Sequence, residues 1–476
     1  MSGASAGPGR LVIVGAGLTG PFLGILLARR GWQVDIVEAR PDPRTTTRAG
    51  LRSINLTLSE RGLRALRAVG LEEQVLTTLC IPLRARAVHR PDGAVNILPY
   101  GDNAQQVLHS VSRAGLTELL TAAAARHPRI RFHFDTRCVE VDRRTATVVG
   151  EDVASGARRR FPAEFVVGAD GVHSTVRRYA QHAEFADLRL HHVPWRYKEI
   201  TVKEGLDPTV LHVWPRGDRM MFALPNRDGS CNGVCVLPVS GVDGFDSLRE
   251  PEQVRRYFDE TFPEVSALVP DLEEQFLSHQ VAAFPTMLTS HWYYRDTVVL
   301  VGDACHTVVP FYGQGMNSGL EDCLVLDRCL AEHTDRAAAF AGYQALRLPS
   351  NEALARLSLD NFTEMRESAR QDLVAARRTV IHWLHRWLGE RVVPLYTMVA
   401  HSTTPYADCV LRAERQERLL RWFGYDVAVV ALAGVMWVRR RLSGPRQPRA
   451  APRRRENRRL AALRPFSDRR SPHELP

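Results

Sequence analysis

Lysine is nearly absent from this chain. Of 63 basic residues in 476, only Lys198 and Lys203 are lysine, which leaves 61 arginines. The skew runs the whole length and marks no site. Net charge is also missing from most of the chain. Residues 439–476 hold thirteen arginines against Glu456, Asp468 and Glu474, and this tail accounts for the whole formal charge of +10. The first 438 residues carry 50 basic and 50 acidic groups. A neutral body argues against a polyanion-binding surface, so no nucleic-acid partner is expected, and a membrane or nucleic-acid adaptor acting through the arginine tail is the rival reading from another class.

Paired cysteine motifs are missing too. The eight cysteines include no C-x-x-C, and the nearest neighbours, Cys231 with Cys235 and Cys323 with Cys329, lack a matching His/Cys set. No zinc site, no other metal and no disulfide frame is expected, and reduced thiols in a cytoplasmic protein are the simplest reading. Long apolar runs are absent as well. The N-terminus is short, small and polar, unlike a signal peptide. Val427–Val438 is a run of twelve uncharged residues, where a spanning helix needs about twenty.

Against these absences stands one dense segment, LVIVGAGLTGPFLGILLARRGWQVDIVEAR. Leu11–Val14 reads as a buried strand, Pro21–Arg30 as a helix closed by Gly31, and Gln33–Val37 as a second strand ending at Glu38. Gly15 permits the tight turn, Gly17 lets backbone approach a pyrophosphate, and Gly20 lets the helix pack close to the strand. Leu18 and Arg40 flank these contacts. The helix N-terminus offers free N–H groups to phosphate, and Glu38 is placed to accept from ribose hydroxyls. No second G-x-G-x-x-G follows, so the chain has one dinucleotide site.

Two later turns repeat the grammar. Phe165–Arg178 is a buried strand, a turn with Asp170, and a helix start. Thr297–Cys323 is a buried strand ending in Gly302-Asp303, then a Gly/Pro-rich loop from Pro310 to Gly315, then a helix beginning near Met316. An aspartate beyond a buried strand suits a ribityl hydroxyl, and a helix N-terminus favours the negative edge of a reduced flavin.

In this order and spacing the three segments resemble the single-component flavin-dependent aromatic monooxygenases. Further stretches resemble the kynurenine 3-monooxygenase family: Arg52–Val75, IPLRARAVHRPDGAVNILPYG, SVSRAGLTELL, LHVWPRGDRMMFALPN, PFYGQGMNSGLEDCLV, LSLDNFTEMR and PLYTMV. The resemblance implies the p-hydroxybenzoate hydroxylase fold, a Rossmann-like α/β FAD domain with an inserted β-sheet substrate domain and a C-terminal helical layer. It implies bound FAD, transient NADPH, and O2 adding at the flavin C4a before oxygen reaches carbon 3 of kynurenine. Arg86 matches the family's carboxylate arginine, with Tyr100, Asn361 and Tyr396 as further amino-acid contacts. Arg113, Gly302, Asp303, Pro310, Gly313, Gly315, Met316 and Asn317 match flavin contacts. Phe311 and Tyr312 face the substrate ring. Here PFY replaces the family's PFF, so a substituted kynurenine or another anthranilic aromatic is the alternative substrate.

On residue types alone, Arg84 and Arg86 alternate along one strand and share a side, as a solvated basic face would. His89 and Arg90 read the same way, and His306 reads as structural. No obligate side-chain acid or base is identified, because the ring amine of kynurenine already activates its ortho carbon. The expected layout is a flavin domain of 1–79, 106–185 and 288–345, a sheet domain of 80–105 and 186–287 roofing the ring pocket, and helices over 346–425. An apolar segment at 426–442 and a disordered tail at 443–476 follow. Residues 422–441 suggest membrane association by resemblance to anchored relatives. Oligomeric state cannot be read.

Overall fold

The computed structural model describes residues 9–45, 55–101, 106–181, 188–190, 194–366 and 371–442. The chain beyond Leu442, with most of the arginine tail, and residues 52–54 lie outside that range.

The first strand forms because Leu11–Val14 is an unbroken apolar run, buried on both faces, as parallel strands are. It sits centrally in a six-stranded sheet ordered 293–294, 298–300, 165–168, 10–14, 33–37, 130–133. All pairings are parallel except the short 293–294 edge. The three glycine-bearing turns leave neighbouring strands at their carboxyl ends, where open α/β sheets bind ligands. Helix Thr19–Arg29 and helix Gly315–Glu332 cover the sheet.

A second sheet has seven strands in the order 282–283, 195–202, 231–238, 219–225, 210–216, 85–89, 95–99. Strands 85–89 and 95–99 thus join the strands between 195 and 283 in one sheet, where 85–89 pairs parallel with 210–216, while strand 80–83 pairs instead with 108–112 in a separate three-stranded sheet. One face packs on Trp214, Phe258, Phe262 and Phe276. The other packs on Phe222, Phe284, Phe311 and Phe362, which brings it against the Pro310–Tyr312 turn.

Helices Arg336–Arg366, Gln371–Leu388, Leu395–His401, Tyr406–Trp422 and Tyr425–Leu442 complete the chain. The last breaks from its predecessor at Gly424, whose φ is +76°. No single described helix is long and apolar enough to cross a membrane; the last two pass that test only together, bent by 85°. All eight cysteines are unpaired and buried.

Candidate active site

Gly15 holds φ +104°, and a Cβ there would meet Ala169 O at 2.4 Å. The first glycine turn therefore rests directly on the second. A Cβ on Gly20 would lie 1.9 Å from Gly15 O, whereas one on Gly17 would meet nothing within 4 Å. Gly20 is spent on packing, and Gly17 faces open space. Leu18 caps the helix and packs on the core.

Glu38 Oε2 accepts from Ala16 N–H at 2.6 Å, and Oε1 accepts from Arg40 N–H at 2.9 Å and Arg40 Nε at 2.8 Å. Burial works to raise this carboxyl, but the Arg40 hydrogen bond and charge outweigh it and hold the group below the usual range. Glu38 is thus kept ionised beside the turn that would take a pyrophosphate.

Asp170 is engaged by the helix that follows it. Its carboxylate accepts from Ser174 Oγ at 2.5 Å and from the N–H groups of Thr175 and Val176 at 2.7 and 3.1 Å. It caps the following helix and stiffens the turn under Gly15. Asp303 is exposed, although surrounding protein pushes its carboxyl up and the Arg113 guanidinium works against that. Arg113, itself exposed, also bears electrostatically on Tyr197 of the second sheet. The two expected flavin contacts therefore lie near enough to interact electrostatically.

The third loop is bolted down from behind. Asn317 Oδ1 accepts from Ser59 N–H at 3.0 Å, and its Nδ2 donates to Thr57 O and Gly313 O. Its side chain is fully used by protein. Gly302 opens the 302–304 turn, Pro310 opens the 310–312 turn, Gly313 ends that turn, and Gly315 and Met316 start the long helix. Beneath the loop Asp322 accepts from Gly302 N–H at 3.1 Å, His306 Nε2 at 2.5 Å and Arg347 Nε at 2.7 Å. Arg347 and Arg61 share Glu321 at 2.5 and 2.8 Å. Breaking such a buried pair costs about 3–5 kcal/mol. Cys305, His306 and Asp322 sit within 4.8 Å of one another, but Asp322 is already committed to Arg347, so the cluster reads as an ion-pair network and His306 as a structural residue.

On the other side of Pro310–Tyr312 a cavity of about 1990 Å³ opens, lined by Arg86, Tyr100, Tyr312, Asn361, Glu364, Arg378 and Tyr396 among others. Arg86 is buried on strand 85–89, and its Nε has no protein partner. Burial alone would lower its guanidinium, but Tyr100, Tyr396 and Glu364 hold it above its ordinary value. The Tyr100 and Tyr396 rings stack at 5.6 Å, and Tyr396 meets Tyr312 at 5.5 Å. Burial pushes all three phenols up. Asn361 donates to Phe311 O at 2.7 Å, which ties the loop to helix 336–366. The Phe311 ring stacks on Phe362 at 4.2 Å.

Two members of the cavity carried no flag in the sequence. Glu364 and Arg378 pair at 3.4 Å from different helices. Burial and the nearby Arg86 charge lower the Arg378 guanidinium. Glu364 lies inside LSLDNFTEMR, three residues after Asn361, so helical spacing could have found it. Arg378 falls in a run of ordinary amphipathic helix and gave no signal.

Arg84 does not share the side of Arg86. The strand breaks between 80–83 and 85–89, Arg84 falls at the break, and it is exposed. His89 and Arg90 are not a solvated face either. His89 Nε2 lies 2.8 Å from His212 Nδ1 and stacks on Trp214 at 4.5 Å, and Arg90 is buried.

The profile of the FAD binding domain family matches residues 10–358. The chain is 46% identical over 450 residues to a kynurenine 3-monooxygenase of Salinispora arenicola, covering 92% of this chain and 99% of that protein. It is 37% identical to the kynurenine 3-monooxygenase of Myxococcus xanthus, over 83% of this chain and 86% of that one. Among solved structures, Pseudomonas aeruginosa PqsL in complex with 2-aminobenzoylacetate superposes with a TM-score of 0.61 at 24% identity, over 76% of this chain and 97% of that one. The oxygenase of 2-methyl-3-hydroxypyridine-5-carboxylic acid gives 0.62 at 18% identity, over 76% and 94%. These two show the shared fold.

Proposed function

The chain belongs to the kynurenine 3-monooxygenase family of FAD-dependent aromatic monooxygenases, and from that premise we propose that it hydroxylates L-kynurenine at ring carbon 3. NADPH, a proton and O2 are consumed, and NADP+ and water leave with 3-hydroxy-L-kynurenine. The observation that carries the reading is the buried Arg86 guanidinium, with an unpaired Nε, in a cavity that also holds Tyr100 and adjoins the Pro310–Gly315 loop.

Bound FAD would supply the redox chemistry by which electrons from NADPH and one oxygen atom of O2 reach the ring. The open space at Gly17 fits its pyrophosphate, Glu38 its ribose, Asp303 and Arg113 its ribityl chain, and the Pro310–Asn317 segment its ring edge. The remaining work belongs to the protein. Arg86 holds the substrate carboxylate, with Tyr100 as a second donor. Two cations, Arg86 and Arg378, face one anion, Glu364. That end of the cavity therefore has one positive charge to spare for a carboxylate, while Glu364 suits the α-ammonium. Asn361 fixes Phe311, and the Phe222, Phe284 and Phe362 rings keep the loop side dry. No side-chain base is needed at the ring, because its own amine activates carbon 3.

The test compares NADPH oxidation by the purified flavoprotein with and without L-kynurenine, and quantifies product. Stoichiometric 3-hydroxykynurenine is expected. Hydrogen peroxide without hydroxylated product, or no stimulation by L-kynurenine, overturns the assignment. Stimulation only by ring-substituted kynurenines moves it to the alternative substrate.

Membrane-surface association is a further part of the reading. Trp422 is 91% exposed, Phe423 86%, Trp387 74% and Val427 74%, on helices that also carry Arg415, Arg418 and Arg421. Exposed aromatics beside arginines suit an anionic lipid interface.

A further inference from the structure

A second, smaller cavity of about 340 Å³ lies behind the flavin loop, away from the substrate cavity, between helices Glu60–Ala68, Gly315–Glu332 and Arg336–Arg366. We propose that it is a binding site for a small amphipathic carboxylate, an aromatic or branched acid, that acts as an effector of the enzyme.

Charge is the first argument. Four arginines line the cavity, Arg61, Arg64, Arg328 and Arg347, against the single carboxylate of Glu321. Both oxygens of Glu321 are already taken, one by Arg61 at 2.8 Å and the other by Arg347 at 2.5 Å. Arg347 is further neutralised by Asp322. Arg64 is exposed and makes no ion pair among the described residues, and Arg328 has only Glu332 at 3.9 Å, too long for a hydrogen bond. Arg64 is thus left without a matching anion, and Arg328 is matched only by this long contact to Glu332.

The second argument is an orphaned donor. The Arg61 side chain is fully buried; its Nη1 meets Glu321, its Nη2 meets Thr404 O, and its plane lies over the Tyr406 ring at 3.9 Å. Its Nε has no partner. A buried N–H left unmade is costly, by about 1–3 kcal/mol, and a ligand oxygen in the cavity would satisfy it. Shape is the third. Between the arginines the wall is apolar, formed by Leu324, Val325, Leu346 and Pro405. The volume is at the small end of ligand pockets, which suits an anion with a compact apolar body better than a bare inorganic ion.

Occupancy would be felt at the flavin. Arg61 and Arg347 both belong to the network that ends on Asp322, and Asp322 holds Gly302 N–H and His306. A carboxylate drawing on Arg61 competes with Glu321, and the change passes through three hydrogen bonds, Glu321–Arg347, Arg347–Asp322 and Asp322–Gly302, to the turn carrying Asp303. This inference is independent of which aromatic the enzyme hydroxylates.

The experiment titrates the purified FAD-loaded enzyme with benzoate, and separately with inorganic phosphate, following the flavin absorption spectrum and the melting temperature. Three proteins are compared: the wild type, Arg86→Gln, and the double variant Arg64→Gln/Arg328→Gln. Both residues of the double variant are exposed and outside the catalytic cavity. Benzoate is expected to perturb the flavin spectrum and raise the melting temperature in the wild type and in Arg86→Gln, with at least ten-fold weaker binding in the double variant. The proposal is overturned if benzoate gives no response in the wild type. It is equally overturned if the response is lost in Arg86→Gln yet kept in the double variant, or if phosphate binds as tightly as benzoate.

Discussion

Arg86 and the phenol of Tyr100, fourteen positions apart across a hairpin, bear directly on each other's charge: the guanidinium works to lower the phenol, and the phenol to raise the guanidinium. The antiparallel pairing of 85–89 with 95–99 sets Arg86 opposite Leu98, and Tyr100 N–H then reaches back to Arg84 O at 3.1 Å. The hairpin thereby delivers a cation and a hydroxyl to one end of the cavity, under the Tyr396 ring. Replacing Arg86 by Gln keeps much of the volume and removes the charge. A charge-assisted hydrogen bond contributes about 1.5–3 kcal/mol, so KM for L-kynurenine should rise by roughly ten- to a hundred-fold, with the flavin still bound. Unchanged KM in steady-state kinetics would remove Arg86 from the carboxylate site.

Tyr312 is the next point of contact. Its ring lies tilted against Tyr396 and is surrounded electrostatically by Arg378, Glu364 and Arg86. Tyr312→Phe preserves the ring and should cost under about 1.5 kcal/mol of stability. The ratio of kcat/KM between L-kynurenine and a ring-substituted analogue should shift, because only the hydroxyl has gone. A constant ratio would mean that this hydroxyl never meets the substrate.

Much of this was legible in the chain. Gly15, Gly17, Gly20 and Glu38 follow from the strand–turn–helix pattern, because each needs one residue type for one geometric reason. The seven-stranded sheet was legible as two stretches of alternation. Its closure by a parallel pairing of 85–89 with 210–216 was not, since register across more than a hundred residues leaves no local trace. Asp170 is ambiguous for a related reason. An aspartate after a buried strand suits both a ribityl hydroxyl and a helix cap, and the capping contacts to Ser174, Thr175 and Val176 are visible only in space. Arg378 was invisible because its meaning comes from the helix it faces, not from its neighbours in sequence.

His89 gives a pH dependence. His212 Nε2 lies 3.0 Å from Asp207 O, which can only accept, so His212 carries its proton there and its Nδ1 accepts from His89 Nε2–H. Burial, then His212 and Arg216, lower His89 to about 4. A histidine freed by unfolding titrates near 6.5, so the unfolded chain binds more protons between the two values. This part of the stability is fully present above pH 6.5 and is lost as pH falls toward about 4. Melting temperatures measured from pH 7.5 down to 4.5 should decline, and His89→Gln should flatten that decline. An equal slope in both proteins would mean that the pair stays neutral in the unfolded chain or charges in the folded one.

The exposed aromatics Trp422 and Phe423 should bind anionic vesicles. In flotation with phosphatidylserine-containing liposomes the wild type is expected in the lipid fraction at low salt, and Trp422→Ser/Phe423→Ser in the soluble fraction with kinetics unchanged. Equal partitioning of the two proteins would contradict the lipid-facing role of these side chains.

Gly17 and Gly20 separate cofactor binding from folding. They lie three residues apart in one turn, yet a Cβ on Gly20 strikes Gly15 O at 1.9 Å and a Cβ on Gly17 meets nothing. Gly17 also has no positive φ, so alanine fits its backbone, and a Gly→Ala change at such a site can stabilise by about 0.4–1 kcal/mol. Gly17→Ala should therefore yield a folded protein whose flavin-free form melts at or above the wild-type flavin-free value. Its methyl would occupy the space that a pyrophosphate needs, so the flavin should wash out on gel filtration. Gly20→Ala should instead lower the melting temperature of the flavin-free protein, because helix 19–29 must move off the sheet. Gly17→Ala purifying with a full complement of FAD would show that the cofactor approaches the turn from another side.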